Sequence, residues 1–201
     1  MTAAEQPGLF ADEPVAPQGL IYQPDLLSAD EEASIAAAIA RLELKPFEFH
    51  GFLGKRRVVS FGWRYVFDGS GLSEAEPIPA FLLPLRERAA RFAGVDPGAL
   101  VHMLVTEYAP GASIGWHKDR SVFGDTIGVS LLSECRLRFR RRSGRGWERT
   151  ALIAAPRSAY LLRGAARALW EHSIPPVESL RYSVTMRTLA SAPDPREIMV
   201  E

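Results

Sequence analysis

The strongest constraint on the fold is a change in hydrophobic periodicity near residue 100. Beyond it, short apolar runs alternate with turn sequences built from Pro-Gly, Ser-Gly-Arg-Gly and Pro-Pro. The runs cover 101–108, 127–132, 151–154, 159–162 and 182–188. Strands this short, at this spacing, are typical of a β-sandwich or barrel, so the segment 100–190 is predicted to form a jelly roll.

Two helices are predicted in front of the strands. Ser28 and Glu31 have capping-box spacing and precede apolar residues at helical intervals, which predicts a helix over 29–43. Apolar residues also recur at helical spacing over 77–94, where Pro84 favours a start near residue 84. The chain is therefore predicted to be α+β, a jelly roll with N-terminal helices packed on one side.

Length and composition limit the class of protein. The 201 residues suit one core, so 19–201 is predicted to be one domain behind a disordered leader over 1–18. The 24 basic and 24 acidic side chains cancel, and Cys135, the only cysteine, cannot form an internal disulfide. No signal peptide and no stretch of roughly 20 apolar residues is present. We expect a cytoplasmic monomer without a membrane segment.

One extended segment carries an imidazole and a carboxylate on the same side. His117 and Asp119 stand two residues apart, so both side chains can face a single ion. His172 follows 53 residues beyond Asp119 and would complete three ligands. Two histidines and one carboxylate form the ligand set of non-haem Fe(II) oxygenases, and zinc, which the same donors bind, is the alternative ion. The pattern predicts metal chemistry.

A late strand carries two arginines six residues apart. Arg181, Ser183, Thr185 and Arg187 alternate with largely apolar residues, so one face holds two guanidiniums and two hydroxyls. Such a face is either the solvated side of an edge strand or a clamp for a dicarboxylate, since guanidinium binds carboxylate through two parallel hydrogen bonds. Fe(II) with a bound keto-diacid would explain both this strand and the metal ligands.

Four ordered blocks resemble one enzyme family. They are Glu107-Tyr-Ala-Pro-Gly-Ala-Ser-Ile-Gly-Trp-His-Lys-Asp119, Arg157-Ser-Ala-Tyr-Leu-Leu, Arg167-Ala-Leu-Trp-Glu-His-Ser-Ile-Pro175 and Arg181-Tyr-Ser-Val-Thr-Met-Arg187. In this order they resemble the AlkB branch of the 2-oxoglutarate- and Fe(II)-dependent oxygenases. The resemblance implies a double-stranded β-helix, which is the jelly roll of this family, with Fe(II), 2-oxoglutarate and O2 as its cofactors.

The resemblance also implies roles for individual side chains. Iron would be held by His117, Asp119 and His172. Arg181 would pair with the distal carboxylate of 2-oxoglutarate, and Arg187 would lie near the carboxylate next to the metal. The complete set expected around 2-oxoglutarate is Tyr108, Arg181, Arg187, Thr106 and Ser183.

Substrate contacts are expected from a lid over 47–70 and from the residues behind the metal motif. In this family such a lid covers a base that has left its stack to reach the iron. The residues expected to contact substrate are Trp63, Tyr65, Arg120 and Ser121. The segment 136–149 holds seven arginines and Trp147 on a predicted hairpin, which is either a solvated face or a phosphate-contacting surface.

The function expected from these features is oxidative demethylation of nucleobases. The partner would be methylated DNA or RNA, the process alkylation repair, and the products formaldehyde, succinate and CO2. Two alternatives stay open. One is that the same oxidation acts on a protein side chain, and the other is that the jelly roll is a non-catalytic nucleic-acid-binding module that holds structural zinc.

Overall fold

The computed structural model describes residues 16–49, 52–66 and 71–190. Most of the leader predicted over 1–18 and part of the lid predicted over 47–70 lie outside these residues. None of the helices in the described part of the chain has the length and apolar character needed to cross a membrane.

The described residues form twelve strands and three α-helices. The strands are β1 Leu20–Gln23, β2 Lys45–Phe49, β3 Phe52–Val66, β4 Gly71–Glu74, β5 His102–Tyr108, β6 Ile114–His117, β7 Phe123–Leu131, β8 Cys135–Ser143, β9 Gly146–Ala154, β10 Ala159–Leu162, β11 Glu171–Ile174 and β12 Arg181–Leu189. The helices are α1 Ala29–Ile39, α2 Leu83–Ala93 and α3 Gly164–Ala168.

Two antiparallel sheets confirm the predicted jelly roll. In the described residues the larger sheet has eight strands in the order β1-β10-β7-β12-β5-β3-β2, with β4 paired to β3. The smaller sheet has the order β6-β11-β8-β9. Helices α1 and α2 pack on the outer face of the larger sheet, as predicted for an α+β chain. The helices therefore do not lie between the larger sheet and the smaller one.

Helix boundaries follow the local signals. Helix α1 starts at the capping box formed by Ser28 and Glu31 and ends at Ile39, four residues before the predicted end. Helix α2 starts beside Pro84 and ends at Gly94, whose φ of 65° is left-handed and suits glycine. The early end of α1 lets residues 40–44 turn back toward the larger sheet.

The front part also contains four strands that the sequence analysis did not identify. Strands β1 to β4 all precede residue 100, and β3 alone spans fifteen residues. The charged run Lys55-Arg56-Arg57 interrupts the alternation of polar and apolar residues that would indicate a strand. Strand β3 forms because it pairs with β5. The front part thus extends the larger sheet in addition to covering it.

Strand β12 lies in the centre of the larger sheet. It pairs with β5 on one side and with β7 on the other, so the solvated edge strand considered from the sequence is excluded. Tyr182, Val184 and Met186 pack into the core beneath the helices. The intervening face, which includes Arg181 and Ser183, is buried and points toward the smaller sheet. The fold therefore places a polar surface inside the molecule.

Candidate active site

A cavity of about 830 Å³ lies between the two sheets. Polar and charged side chains from both sheets line it, whereas a packing void in a hydrophobic core is lined by apolar side chains. Its charged and imidazole-bearing lining residues are Arg56, His102, His117, Lys118, Asp119, Arg120, His172 and Arg187. A space of this size, lined in this way, is typical of a small-molecule site.

Three potential metal ligands meet at one wall of the cavity. The ligand atoms of His117, Asp119 and His172 all lie within 4.8 Å of one another. The two histidines are direct cross-strand partners on β6 and β11, and their ring centroids are 4.2 Å apart. Antiparallel pairing therefore fixes the separation of the two imidazoles, which the sequence separates by 55 residues.

The hydrogen bonds and burial of the histidines favour the ligand form. His117 Nδ1 lies 2.9 Å from the carbonyl oxygen of Gly115, which accepts its proton and leaves Nε2 with a free lone pair. Burial lowers the pKa of His117 and lowers that of His172 to about 3, with a further contribution from His117. Both imidazoles are therefore neutral near pH 7, as a metal requires.

Asp119 lies in the loop after β6 and is held by two side-chain partners. Arg187 donates to both carboxylate oxygens, with Nη2 at 3.0 Å from Oδ1 and Nε at 3.2 Å from Oδ2. The Thr126 hydroxyl donates to Oδ2 at 2.8 Å. Burial by itself would raise the pKa of Asp119, but Arg187 and His172 outweigh it and hold the pKa far below its usual range. Asp119 is therefore a fixed, ionised carboxylate.

The loop behind Asp119 is fixed by one arginine from helix α3. The Arg167 guanidinium donates to the carbonyl oxygens of Asp119, Arg120, Phe123 and Gly124. A single side chain thereby satisfies four backbone acceptors of the segment between β6 and β7. We assign Arg167 as a positioning residue for the metal-binding loop.

Arg181 is buried with an unsatisfied donor pair. Its Nε donates to Ser130 Oγ at 3.0 Å, while Nη1 and Nη2 have no hydrogen-bond partner in the part of the chain that the structure describes. Its cross-strand partner Tyr108 lines the cavity, and the Arg181 Cζ atom lies 5.1 Å from the centre of that ring. Unpaired buried guanidinium nitrogens cost stability, and a carboxylate with two oxygens would satisfy both.

The observed groups fit the ion and cosubstrate that the sequence implies. Two neutral imidazoles and one carboxylate suit Fe(II). On the opposite sheet, Arg181 offers two guanidinium nitrogens that a carboxylate of the cosubstrate could accept hydrogen bonds from. Thr106 and Ser183, which are cross-strand partners, are buried and line the cavity. The predicted side chains for metal and cosubstrate thus lie around one space.

The expected substrate contacts are only partly brought together. Arg120 and Ser121 are exposed and line the cavity beside the metal group. Trp63 lies farther along β3 and is absent from the cavity wall as far as the described residues define it. Tyr65 is on β3 opposite Leu72, and its side chain lies outside the described residues. The roles of all four as substrate contacts stay predictions.

Two cavity residues escaped the sequence analysis. Arg56 on β3 is half-buried, donates a hydrogen bond to Tyr108 and has a pKa lowered by desolvation. It also lies over the Phe47 ring, with Cζ 4.0 Å from the ring centre. His102 Nδ1 lies 3.2 Å from Arg187 Nη1 and accepts its hydrogen bond. Arg56 thus brings a third guanidinium to the cavity, and His102 supports the arginine that holds Asp119.

His102 makes the stability of the metal-free protein sensitive to acid. Burial, followed by Arg187, lowers the pKa of His102 from 6.5 to about 3. The unfolded chain therefore takes up a proton between these values that the folded chain excludes. Stability is full above about pH 6.5 and falls with decreasing pH, by up to about 1.4 kcal/mol per pH unit for one such group.

The variant His102→Asn tests this dependence. Asparagine keeps an acceptor for Arg187 but does not titrate, so the variant should lose stability less steeply than the wild type between about pH 6 and 4. Denaturant unfolding at several pH values measures the two slopes. Equal slopes of stability against pH would show that folding does not lower the pKa of His102.

Comparison with known proteins agrees with the geometry. The family model described as the 2OG-Fe(II) oxygenase superfamily matches residues 19–188. The chain is 31% identical over 182 residues to the Arabidopsis thaliana protein named alkylated DNA repair protein ALKBH8 homolog, covering 78% of this chain and 51% of that one. It is 27% identical over 176 residues to the Xenopus tropicalis protein named tRNA (carboxymethyluridine(34)-5-O)-methyltransferase alkbh8, covering 81% and 26%.

A solved structure supports the fold independently of sequence. The structure of OsALKBH1 superimposes with a TM-score of 0.65 at 13% identity, over 88% of this chain and 100% of that one. The chain spans about half the length of the Arabidopsis relative and about a quarter of the Xenopus one. The similarity thus covers the jelly roll and its cavity and leaves large parts of both relatives unmatched.

Proposed function

Because the chain belongs to the 2OG-Fe(II) oxygenase superfamily, on its AlkB-like side, we propose that it oxidatively demethylates alkylated nucleobases in DNA or RNA. The family makes the protein an enzyme that uses Fe(II), 2-oxoglutarate and O2. A non-catalytic module is therefore set aside, and the open question is the substrate on which the oxidation acts.

The chemistry supplied by the bound cofactors is common to the family. With Fe(II) and 2-oxoglutarate in place, O2 is consumed, 2-oxoglutarate becomes succinate and CO2, and one oxygen atom enters a C–H bond of the substrate. On an N-methyl group the product is a hydroxymethyl amine. It passes its hydroxyl proton to nitrogen as the C–N bond breaks, which releases formaldehyde and the unmodified base.

The contribution of the chain is to hold and orient the reactants. His117, Asp119 and His172 would hold the metal from the smaller sheet and its adjoining loop. Arg181, on the larger sheet, would bind the distal carboxylate of 2-oxoglutarate beside Tyr108. The two sheets also shield this space from water, which strengthens each charged contact inside it.

One observation carries the proposal more than any other. The buried Nη1 and Nη2 atoms of Arg181 have no hydrogen-bond partner among the described residues, and its strand neighbour Tyr108 lines the same cavity as the three metal-ligand side chains. A structural arginine would have its donors satisfied by the protein, because leaving them unpaired costs free energy. The unsatisfied pair is therefore best explained as a site for an acidic cosubstrate.

Three features favour a nucleobase over a protein side chain. The cavity volume of about 830 Å³ has room for 2-oxoglutarate and a further planar group. Lys118 and Arg120 are exposed and line the cavity, where the phosphates flanking an extruded base would lie. The names of both curated relatives refer to nucleic acid, one to alkylated DNA and one to tRNA.

Methylated oligonucleotides should support turnover. DNA and RNA strands that each carry one type of methylated base would be incubated with protein, Fe(II), ascorbate and 2-oxoglutarate. Mass spectrometry then detects loss of the methyl group together with formation of succinate. The His117→Ala protein is the matched control and should leave every oligonucleotide unchanged.

A panel of methylated peptides completes this experiment. If only peptides stimulate succinate formation, the nucleobase proposal is wrong and the enzyme modifies protein. Succinate formation without loss of any methyl group from nucleic acid or peptide would point to hydroxylation of a different C–H bond.

A further inference from the structure

The outer face of the smaller sheet carries a regular stack of arginine and tryptophan. The Arg140 guanidinium lies 4.4 Å from the Trp116 ring centre on one side and 4.2 Å from the Trp147 ring centre on the other. Arg138 covers Trp116 at 5.1 Å, and Arg142 covers Trp147 at 4.3 Å. Five side chains from three strands thus alternate in one continuous stack.

Strand geometry explains the order of the stack. His172 and its partner Phe139 point into the molecule, so Arg138 and Arg140 must point to the opposite face. Arg136 and Arg142 share that outer face by the same alternation, and Arg149 on β9 lies directly opposite Arg140. We call these five residues the arginine ladder, that is Arg136, Arg138, Arg140, Arg142 and Arg149.

The positive charge of the arginine ladder is only partly compensated. Arg140 pairs with Glu171. In the part of the chain that the structure describes, Arg136, Arg142 and Arg149 are exposed and form no ion pair. Like charges placed directly opposite in a sheet, as Arg140 and Arg149 are, destabilise it. A bound polyanion would remove that repulsion.

The arginine ladder is continuous with the rim of the active-site cavity. Lys118 lines the cavity and also a groove at the hairpin end, which Arg140, Arg142 and Trp147 border. Trp116, the first ring of the stack, directly precedes His117. A chain-like ligand with one unit in the cavity can therefore continue along this face.

We propose that the arginine ladder binds the phosphodiester backbone of a single polynucleotide strand whose target base occupies the cavity. The inference rests on the proposed function and names the surface that holds the rest of the substrate. Alternate residues of a strand are about 6.7 Å apart, close to the distance between successive phosphates of an extended strand. A row of guanidiniums at this spacing suits one phosphate after another.

The tryptophans determine what the surface recognises. Trp116 and Trp147 each contact two guanidiniums, so these rings hold the arginines in place. Contacts made only to phosphate carry no sequence information. The arginine ladder should therefore bind strands of any sequence, and its affinity should depend on salt.

Binding of unmodified single strands tests the proposal without any chemistry. Fluorescence anisotropy with labelled 12-nucleotide oligo-dT and oligo-U, measured over a range of salt, compares the wild type with Arg136→Gln/Arg142→Gln/Arg149→Gln. We expect affinity at least about tenfold weaker near physiological salt, and a log–log salt slope smaller by about 2, since each single-strand phosphate contact contributes about 0.7.

The control removes equal charge on the other side of the molecule. Arg41→Gln/Arg86→Gln/Arg91→Gln changes three arginines on or beside α1 and α2, which pack against the far face of the larger sheet. This protein should bind like the wild type. If both triple variants weaken binding equally, or if neither changes the salt slope, the arginine ladder is not the docking surface.

The experiment also separates this inference from the proposed function. Loss of affinity in the arginine ladder variant supports docking even if no methylated base is turned over. Equal affinity of the arginine ladder variant and the wild type would overturn the docking surface and leave the proposed function standing, because turnover is measured separately.

Discussion

Replacing Arg181 with methionine should lower kcat/KM for 2-oxoglutarate about 150- to 5000-fold without destabilising the protein. Loss of one partner from a buried charge pair costs about 3–5 kcal/mol, which corresponds to that range. The fold should not suffer, because two nitrogens of Arg181 are buried without a partner before ligand binds. Methionine removes these unsatisfied donors, so the melting temperature of the ligand-free protein should stay equal or rise.

Thermal shift experiments distinguish ligand binding from a structural role. With Mn(II) in place of Fe(II), 2-oxoglutarate should raise the melting temperature of the wild type and leave that of Arg181→Met nearly unchanged. The variant Arg181→Lys keeps the charge but not the paired donors, so it should recover part of the activity. A destabilised Arg181→Met protein that still binds 2-oxoglutarate would show that the clamp lies elsewhere.

Replacing Asp119 with alanine should abolish turnover and also destabilise the fold. The carboxylate is one of three predicted metal ligands, and it is the partner of Arg187, whose side chain is only 11% exposed. Its removal leaves a buried guanidinium without its counter-charge, at a cost of about 3–5 kcal/mol. Succinate formation should fall below detection, and the free energy of unfolding of the metal-free protein should decrease.

A double variant separates the two roles of Asp119. Asp119→Ala/Arg187→Met removes both charges, so it should regain much of the lost stability while remaining inactive. Urea unfolding without metal and succinate formation with metal measure the two quantities. If the double variant is as unstable as the single one, the instability of Asp119→Ala does not come from an uncompensated charge on Arg187.

The grouping of His117, Asp119 and Arg187 around one interior space could be predicted because part of their geometry follows from local rules. His117 and Asp119 are two apart in an extended segment, and the alternation that places Arg181 and Arg187 on one face is visible in the sequence itself. The order of the four sequence blocks indicated the resemblance to the AlkB branch of the 2-oxoglutarate- and Fe(II)-dependent oxygenases. The strands that face each other across the cavity are set by long-range strand pairing. That pairing cannot be deduced from the sequence alone.

Arg56 and His102 show what long-range pairing adds. Arg56 belongs to a basic run that looks solvated, yet β3 lies against β5 and brings it to Tyr108. His102 has no partner near it in the sequence, because its partner is Arg187, directly opposite on β12. Both residues were missed because their partners lie 52 and 85 positions away.

The way β11 joins the smaller sheet has a consequence for how such enzymes change substrate. Strand β11 fixes His172 against His117 on one side and contacts β8 only at residues 138–140 on the other. Residues 141–148, at the far end of the hairpin, pair only among themselves. The tip can therefore be replaced without changing the strand pairing that positions His172. Such a replacement would change the surface beside the cavity while the catalytic centre stays the same.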